Sequence, residues 1–335
     1  MRRLKFFIAA ALAAGCFFLG GNIHIADASA DLYYIGGMTA GFSLSAGGVE
    51  VVGFKDVTSE SGASCPATEA GMRTGDIIVA VDGIHTRSME ELNAAFARSA
   101  GKPVTLTLKR DGEQAQIEVT PVRDKHADRY KIGILIRDTL SGIGTVTYIE
   151  KETMRFGALG HAVCGEDKTA LTIADSSVYL CSIVSVNRGE RGKAGELRGL
   201  FLNDSRIGAA DKVCATGLYG KFSGGYDLSD CAAVQSAPLS EAAIGKATIY
   251  STVDGVTPKA YEIAIAKVDA NNRDNKNFVI KVTDERLIAE TGGIVQGMSG
   301  SPILQNGKLI GAVTHVFLND PTRGYGIGIE KMLEK

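Results

Sequence analysis

Apolar residues along this chain fall in short runs separated by polar or glycine-rich stretches. In the first half, Ile77, Val79 and Val81 alternate as a half-buried strand does, and Asp82-Gly83 ends the run with turn chemistry. Ser88-Met89-Glu90-Glu91 is a capping box, a serine at the N-cap position with glutamate three residues later. It opens a helix whose Met89, Leu92, Phe96 and Ser99 share one face. Val104–Leu108, the Asp111-Gly112 turn and Ile117–Val119 then predict a hairpin. Beyond the polar stretch from Arg123 to Arg129 the pattern becomes serial and strand-like: IGILI, GTVTYIE, ALTIA, KATIYSTV, FVIKV and KLIGAVTHVF. Polar or glycine-rich stretches interrupt it at Asn187–Gly195, Lys221–Asp230 and Asp269–Asn277. No helix of useful length appears in this half before the C-terminus. The pattern predicts a mainly β protein with one domain over 31–123 and a second over 124–335. The second is long enough for a pair of small β-barrels or one large sandwich.

Residues 1–30 are a different material. Arg2, Arg3 and Lys5 precede an uncharged apolar run from Phe6 to Gly20, and Ala28-Ser29-Ala30 offers the small-x-small pattern of a cleavage site. The segment predicts export, either as a signal cleaved after Ala30 or as a retained membrane anchor. Composition narrows the rest. Hydrophobic residues at 45% and charged residues at 22% exclude a disordered chain and a multi-span membrane protein. A net charge of −2 argues against a nucleic-acid partner. The 41 glycines against 7 prolines suit tight turns in a β architecture. Cys164, Cys181, Cys214 and Cys231 are read as buried free thiols, with oxidation in an exported chain left open. Neither a Cys-x-x-Cys pair nor a His cluster at ligand spacing is present, so no metal or other cofactor is expected.

Two segments carry chemistry, Gly157-Ala158-Leu159-Gly160-His161 and Gly297-Met298-Ser299-Gly300-Ser301-Pro302. A serine flanked by glycines on a tight turn can project its hydroxyl as a nucleophile. Its own N–H and that of Gly297 can point into one oxyanion hole. A serine hydroxyl needs a base. Of five histidines, His24 lies in the export segment, His85 in the first domain and His126 between the domains. That leaves His161 and His315, and His315, on the strand after the serine, reads as a hydrogen-bonded barrel residue.

The strand–helix–hairpin order resembles a PDZ domain. In that family an apolar-Gly-apolar loop offers N–H groups to a peptide's terminal carboxylate, and the peptide lies as an added strand beside the helix. The segment Ala40-Gly41-Phe42-Ser43-Leu44 matches that loop, with Ala40 smaller than usual, and Met89 and Leu92 would line the groove. The order His161 then Gly-x-Ser-Gly-x-Pro resembles the chymotrypsin-like peptidases. More closely, GALGHA, KVTDERLIAETGGIVQGMSGSPILQNGKLIGAVTHVF and NDPTRGYGIGIEKML resemble the stage IV sporulation protein B peptidases, which carry a PDZ domain before the peptidase domain.

The resemblance implies a chymotrypsin-like double β-barrel following the PDZ domain. Its triad would be His161 as base, Asp284 as orienter and Ser299 as nucleophile. Asp284 stands only fifteen residues before the serine, unlike the broader chymotrypsin pattern, so Asp167, Asp175, Asp211 and Asp227 remain competitors. The family further implies a self-processing enzyme in the space between the membranes of the developing forespore, cutting a regulatory membrane protein. Two other functions compete. One is a non-catalytic PDZ scaffold on a dead peptidase fold. The other is a degradative quality-control peptidase of the high-temperature-requirement type, against which the domain order counts.

Overall fold

A computed structural model of the protein describes residues 31–163 and 173–334. The export segment, Cys164 and Asp167 lie outside the described residues. The chain from Asp31 onward is one compact unit of two β-barrels and a PDZ module.

The first barrel closes through six strands. Thr39–Ser45 lies between Leu140–Glu150 and Asp175–Asn187, antiparallel to both. The ring continues through Glu196–Cys214, Gly217–Phe222 and Arg155–Ala158, which pairs back onto Leu140–Glu150. Closure removes free sheet edges. Phe42, Leu44, Val146, Phe156, Val178 and Leu218 fill the interior. The second barrel is Gly245–Ser251, Lys259–Val268, Phe278–Val282, Asp320–Gly328, Lys308–Phe317 and Pro302–Gln305. Its core includes Ile249, Ile263, Phe278, Ile280 and Met298. The mainly β, chymotrypsin-like double barrel expected from the sequence is therefore present.

The PDZ module comes before most of the peptidase, as expected, and is inserted into the first barrel after the strand Thr39–Ser45, between Ser45 and Leu140. Its sheet runs in the order Ile134–Arg137, Val49–Phe54, Ile77–Val81, Val104–Arg110, Glu113–Val119. The helix Met89–Ser99 covers it, burying Leu92 and Phe96 against Val51, Ile78 and Leu106. Local features read from the sequence hold. Ser88 accepts from the Glu91 N–H at 3.2 Å, and Asp111 and Gly112 take the positive φ angles of a tight hairpin turn.

The boundaries at 123 and 124 are thus corrected: residues 31–45 belong to the peptidase and residues 124–137 to the PDZ module. The physical reason lies in burial. Thr39, Ala40, Gly41, Phe42 and Leu44 are all buried, because the strand has neighbours on both edges and protein on both faces. A short apolar run with a glycine carries no periodicity that separates such a strand from a PDZ loop. Among the described residues Cys65, Cys181, Cys214 and Cys231 are free thiols, and burial pushes the Cys181 thiol up to about 11. No helix among the described residues is long and apolar enough to cross a membrane.

Candidate active site

The loop Gly297–Ser301 is held in shape by the first barrel. The Thr145 N–H donates to the Ser299 carbonyl at 2.9 Å. The Thr145 hydroxyl donates to the Gly297 carbonyl and that of Thr147 to the Gly300 carbonyl, each at 2.8 Å. Both threonines are fully buried. Gly300 has φ +95°, and a Cβ there would sit 2.1 Å from the Thr145 carbonyl oxygen, so only glycine fits. The sequence reading missed Thr145 and Thr147. They alternate with the apolar Val146 and Tyr148 in GTVTYIE and look like the polar face of a strand, yet both faces are covered.

Within that loop the N–H groups of Met298, Gly300 and Ser301 donate to the carbonyls of Val295, Val313 and Met298. Among the described residues those of Gly297 and Ser299 donate to no carbonyl, leaving both predicted oxyanion donors uncommitted. Gly297 has φ +99°.

The structure brings His161 and Ser299 into one cavity of about 500 Å³ at the cleft between the barrels. His161 follows Leu159 and Gly160, both at φ +70°. A left-handed leucine costs on the order of 1–3 kcal/mol, strain of the kind that clusters at functional sites. The His161 Nδ1 lies 2.9 Å from the Ala162 carbonyl. A carbonyl only accepts, so that contact puts the proton on Nδ1 and leaves Nε2 free to accept one. The Ser299 hydroxyl donates to the Thr314 carbonyl at 2.8 Å; transfer of its proton to His161 requires rotation about the Cα–Cβ bond. His315 lines the same cavity, its ring centroid 5.2 Å from that of His161. Its surroundings, then His161, then Lys276, hold its pKa below the usual histidine value.

Asp284 is not brought to His161. It caps the helix Glu285–Thr291, accepting from the N–H groups of Arg286 and Leu287. The Arg286 guanidinium pairs with its Oδ2 at 2.8 Å, and the Glu262 N–H donates to the same oxygen at 3.2 Å. Arg286 first, helped by these N–H groups, lowers its pKa to about 2. This corrects the orienter assignment: both carboxylate oxygens are spoken for, and the residue is absent from the cavity wall. The sequence contained the signal, since an aspartate directly before Glu285 and the apolar Leu287 and Ile288 is an N-cap pattern. Of the competitors, Asp175 accepts from the Ser176 N–H, Asp211 pairs with Arg155 and Asp227 accepts from the Ser229 N–H.

The PDZ groove is also relocated. Ala40, Gly41, Phe42 and Leu44 lie in the barrel strand, with Phe42 and Leu44 on the wall of the Ser299 cavity. Met89 and Leu92 do line a groove, of about 360 Å³, between their helix and the segment Tyr130–Ile136. Ile132-Gly133-Ile134 there supplies the apolar-Gly-apolar loop, with Gly133 at φ +86°. Among the described residues no three His, Cys, Asp or Glu side chains gather as a metal-holding group.

A family model for a PDZ domain matches residues 58–110. A stretch of 118 residues is 27% identical to "Putative zinc metalloprotease Atu1380" of Agrobacterium fabrum, covering 32% of this chain and 31% of that protein. A second, of 145 residues, is 29% identical to "Putative zinc metalloprotease LL2128" of Lactococcus lactis, covering 37% and 33%. The chain spans about a third of the length of these curated relatives. Among solved structures, the Rv3671c protease from M. tuberculosis is similar at 15% identity and a TM-score of 0.33, covering 58% of this chain and 74% of that one. The PDZ domain of an SdrC-like protein from Listeria monocytogenes is similar at 22% identity and a TM-score of 0.23, covering 28% and 90%. The model of the SpoIVB peptidase S55 family matches residues 128–333, more than half of the chain and the stretch holding His161 and Ser299, so the chain belongs to that family and is a PDZ-containing serine peptidase.

Proposed function

We propose that the protein is an exported endopeptidase that trims itself and then cuts a regulatory membrane protein in a sporulation signalling pathway. Ser299 is the nucleophile and His161 the base. The Gly297 and Ser299 N–H groups receive the oxyanion. The observation that carries the chemistry is the meeting of Ser299, His161 and two uncommitted backbone N–H groups at one cleft. In this reading the Ala162 carbonyl, which already fixes the imidazole tautomer, does what a carboxylate does in a triad. The Ser299 hydroxyl leaves the Thr314 carbonyl, gives its proton to His161 Nε2 and attacks the substrate carbonyl. The imidazolium then returns the proton to the leaving amine. The sporulation role and the membrane-protein substrate rest on family membership. The PDZ groove takes a peptide strand or protein tail along Ile134–Arg137.

Fluorophosphonate labelling with mass spectrometry of the purified chain over time tests this. The wild type labels at Ser299 and shortens itself. Ser299→Ala and His161→Ala each abolish both, because the two residues act as one unit; in subtilisin the corresponding losses are on the order of a million-fold. A chain in which neither labelling nor shortening occurs in any form supports the scaffold reading instead.

A further inference from the structure

The cleft at Ser299 has an unusual chemical uniformity. Among the described residues no Asp, Glu, Lys or Arg lines it, and His161 and His315 are the titratable side chains on its wall. Two apolar banks face each other. The first barrel contributes Leu140, Ile143 and Leu159, and the second contributes Val295, Val316 and Leu318. These are not all sealed core positions: Ile143 and Val316 are only partly buried, and Leu318 is 56% exposed. Apolar surface left open beside a nucleophile is stabilised when a ligand covers it. A charged side chain placed there would lose water and find no opposite charge. At about 500 Å³ the space has the volume of a site for a whole small ligand rather than one side chain.

We propose that the protein cleaves peptide bonds flanked by large aliphatic or aromatic residues, and that Val316 and Leu318 are side chains that set this preference. The proposal rests on the reading of Ser299 and His161 as the catalytic pair. It names the substrate class of that site: apolar sequence on the two sides of the cut, with charged residues excluded from both.

The test is cleavage of a mixed peptide library by the full chain, with cut positions read by mass spectrometry. Leu, Ile, Val, Met or Phe are expected beside the cut at least tenfold over Asp, Glu, Lys or Arg, the scale on which apolar pockets discriminate. Val316→Asp and Leu318→Asp place a carboxylate on the second bank. At least one of them is expected to bring Lys or Arg into a flanking position. Leu318 is the safer site for folding because it is already exposed. Equal cleavage beside charged and apolar residues overturns the proposal, as does an unchanged preference in both folded variants. Fluorophosphonate labelling in parallel separates the two levels. Labelled wild type without apolar preference removes this inference alone, whereas unlabelled wild type removes the catalytic reading and this inference with it.

Discussion

Two segments of this chain share the pattern apolar-Gly-apolar and have opposite fates. Ala40-Gly41-Phe42 is the middle of a barrel strand, paired on both edges. Ile132-Gly133-Ile134 is the rim of the PDZ groove. The glycines are needed for different reasons. A Cβ on Gly41 would lie 2.4 Å from the Phe201 ring, so the demand comes from a side chain far away in sequence. Gly133 sits at φ +86°, and its Cβ would lie 2.7 Å from the Cys65 Sγ and 2.8 Å from the Lys55 carbonyl oxygen. There the backbone itself requires glycine. The same three-residue word therefore means packing in one place and conformation in the other.

The largest effect should come from Gly41→Val. It forces a branched side chain into the Phe201 ring, and overpacking of this kind costs about 1–3 kcal/mol or more. Because the strand closes the barrel that holds Thr145, Ser299 labelling should fall together with the thermal midpoint. A variant that melts like the wild type and labels fully would show that Gly41 is a groove residue after all.

Gly133→Val should separate the two modules. The positive φ and the Cys65 contact deform the rim, and affinity for a fluorescent peptide with a free apolar C-terminus should drop by tenfold or more. Labelling at Ser299 should persist. Unchanged affinity would move the peptide site away from this rim.

Asp284→Asn asks the same question of a second local word with two possible meanings. Asparagine keeps the helix cap, so the variant loses only the negative charge facing Arg286 and the helix N-terminus, about 0.3–1 kcal/mol. The midpoint should fall modestly while labelling continues. The folded pKa of the Asp284 carboxyl, about 2, lies below the unfolded value of about 3.9. Its stabilisation is therefore complete above about pH 4 and fades as pH falls towards 2. The wild type should lose more stability than the variant across that window in an acid titration followed by circular dichroism. A loss of turnover near 10⁴-fold in a folded variant, the size of a wrong-tautomer defect, would restore Asp284 as the orienter.

The smallest effect belongs to the joint between the modules. Asp138, between the groove strand and the Leu140–Glu150 barrel strand, accepts from the Met89 N–H at 2.9 Å. Asp138→Ala exposes one helix-terminal N–H to water and should cost only a few tenths of a kcal/mol, measured by urea unfolding. A larger change would mean that the PDZ helix and the barrel strand are more tightly coupled than this single bond implies.

Sequence alone determined what short-range chemistry can encode. The capping box at Ser88, the Asp111-Gly112 turn, the strand Ile77–Val81 and the glycine frame of Ser299 depend on neighbours within a few residues. So did the likeness to the peptidase family, which rests on three continuous runs, GALGHA, Lys281 to Phe317 and NDPTRGYGIGIEKML. Tertiary structure decided which strands share a sheet. Thr39–Ser45 crosses nearly a hundred residues to pair with Leu140–Glu150, and nothing in its own pattern selects that partner over a PDZ strand. It likewise decided that Thr145 and Thr147 are buried braces, because the loop they hold lies about 150 residues away. Asp284 stands between these cases: its cap was legible locally, and the family motif outweighed it. Hydrogen bonds inside a turn are written in adjacent residues, whereas barrel closure is set by apolar burial, which has no direction and takes its partner from whatever the rest of the chain brings near.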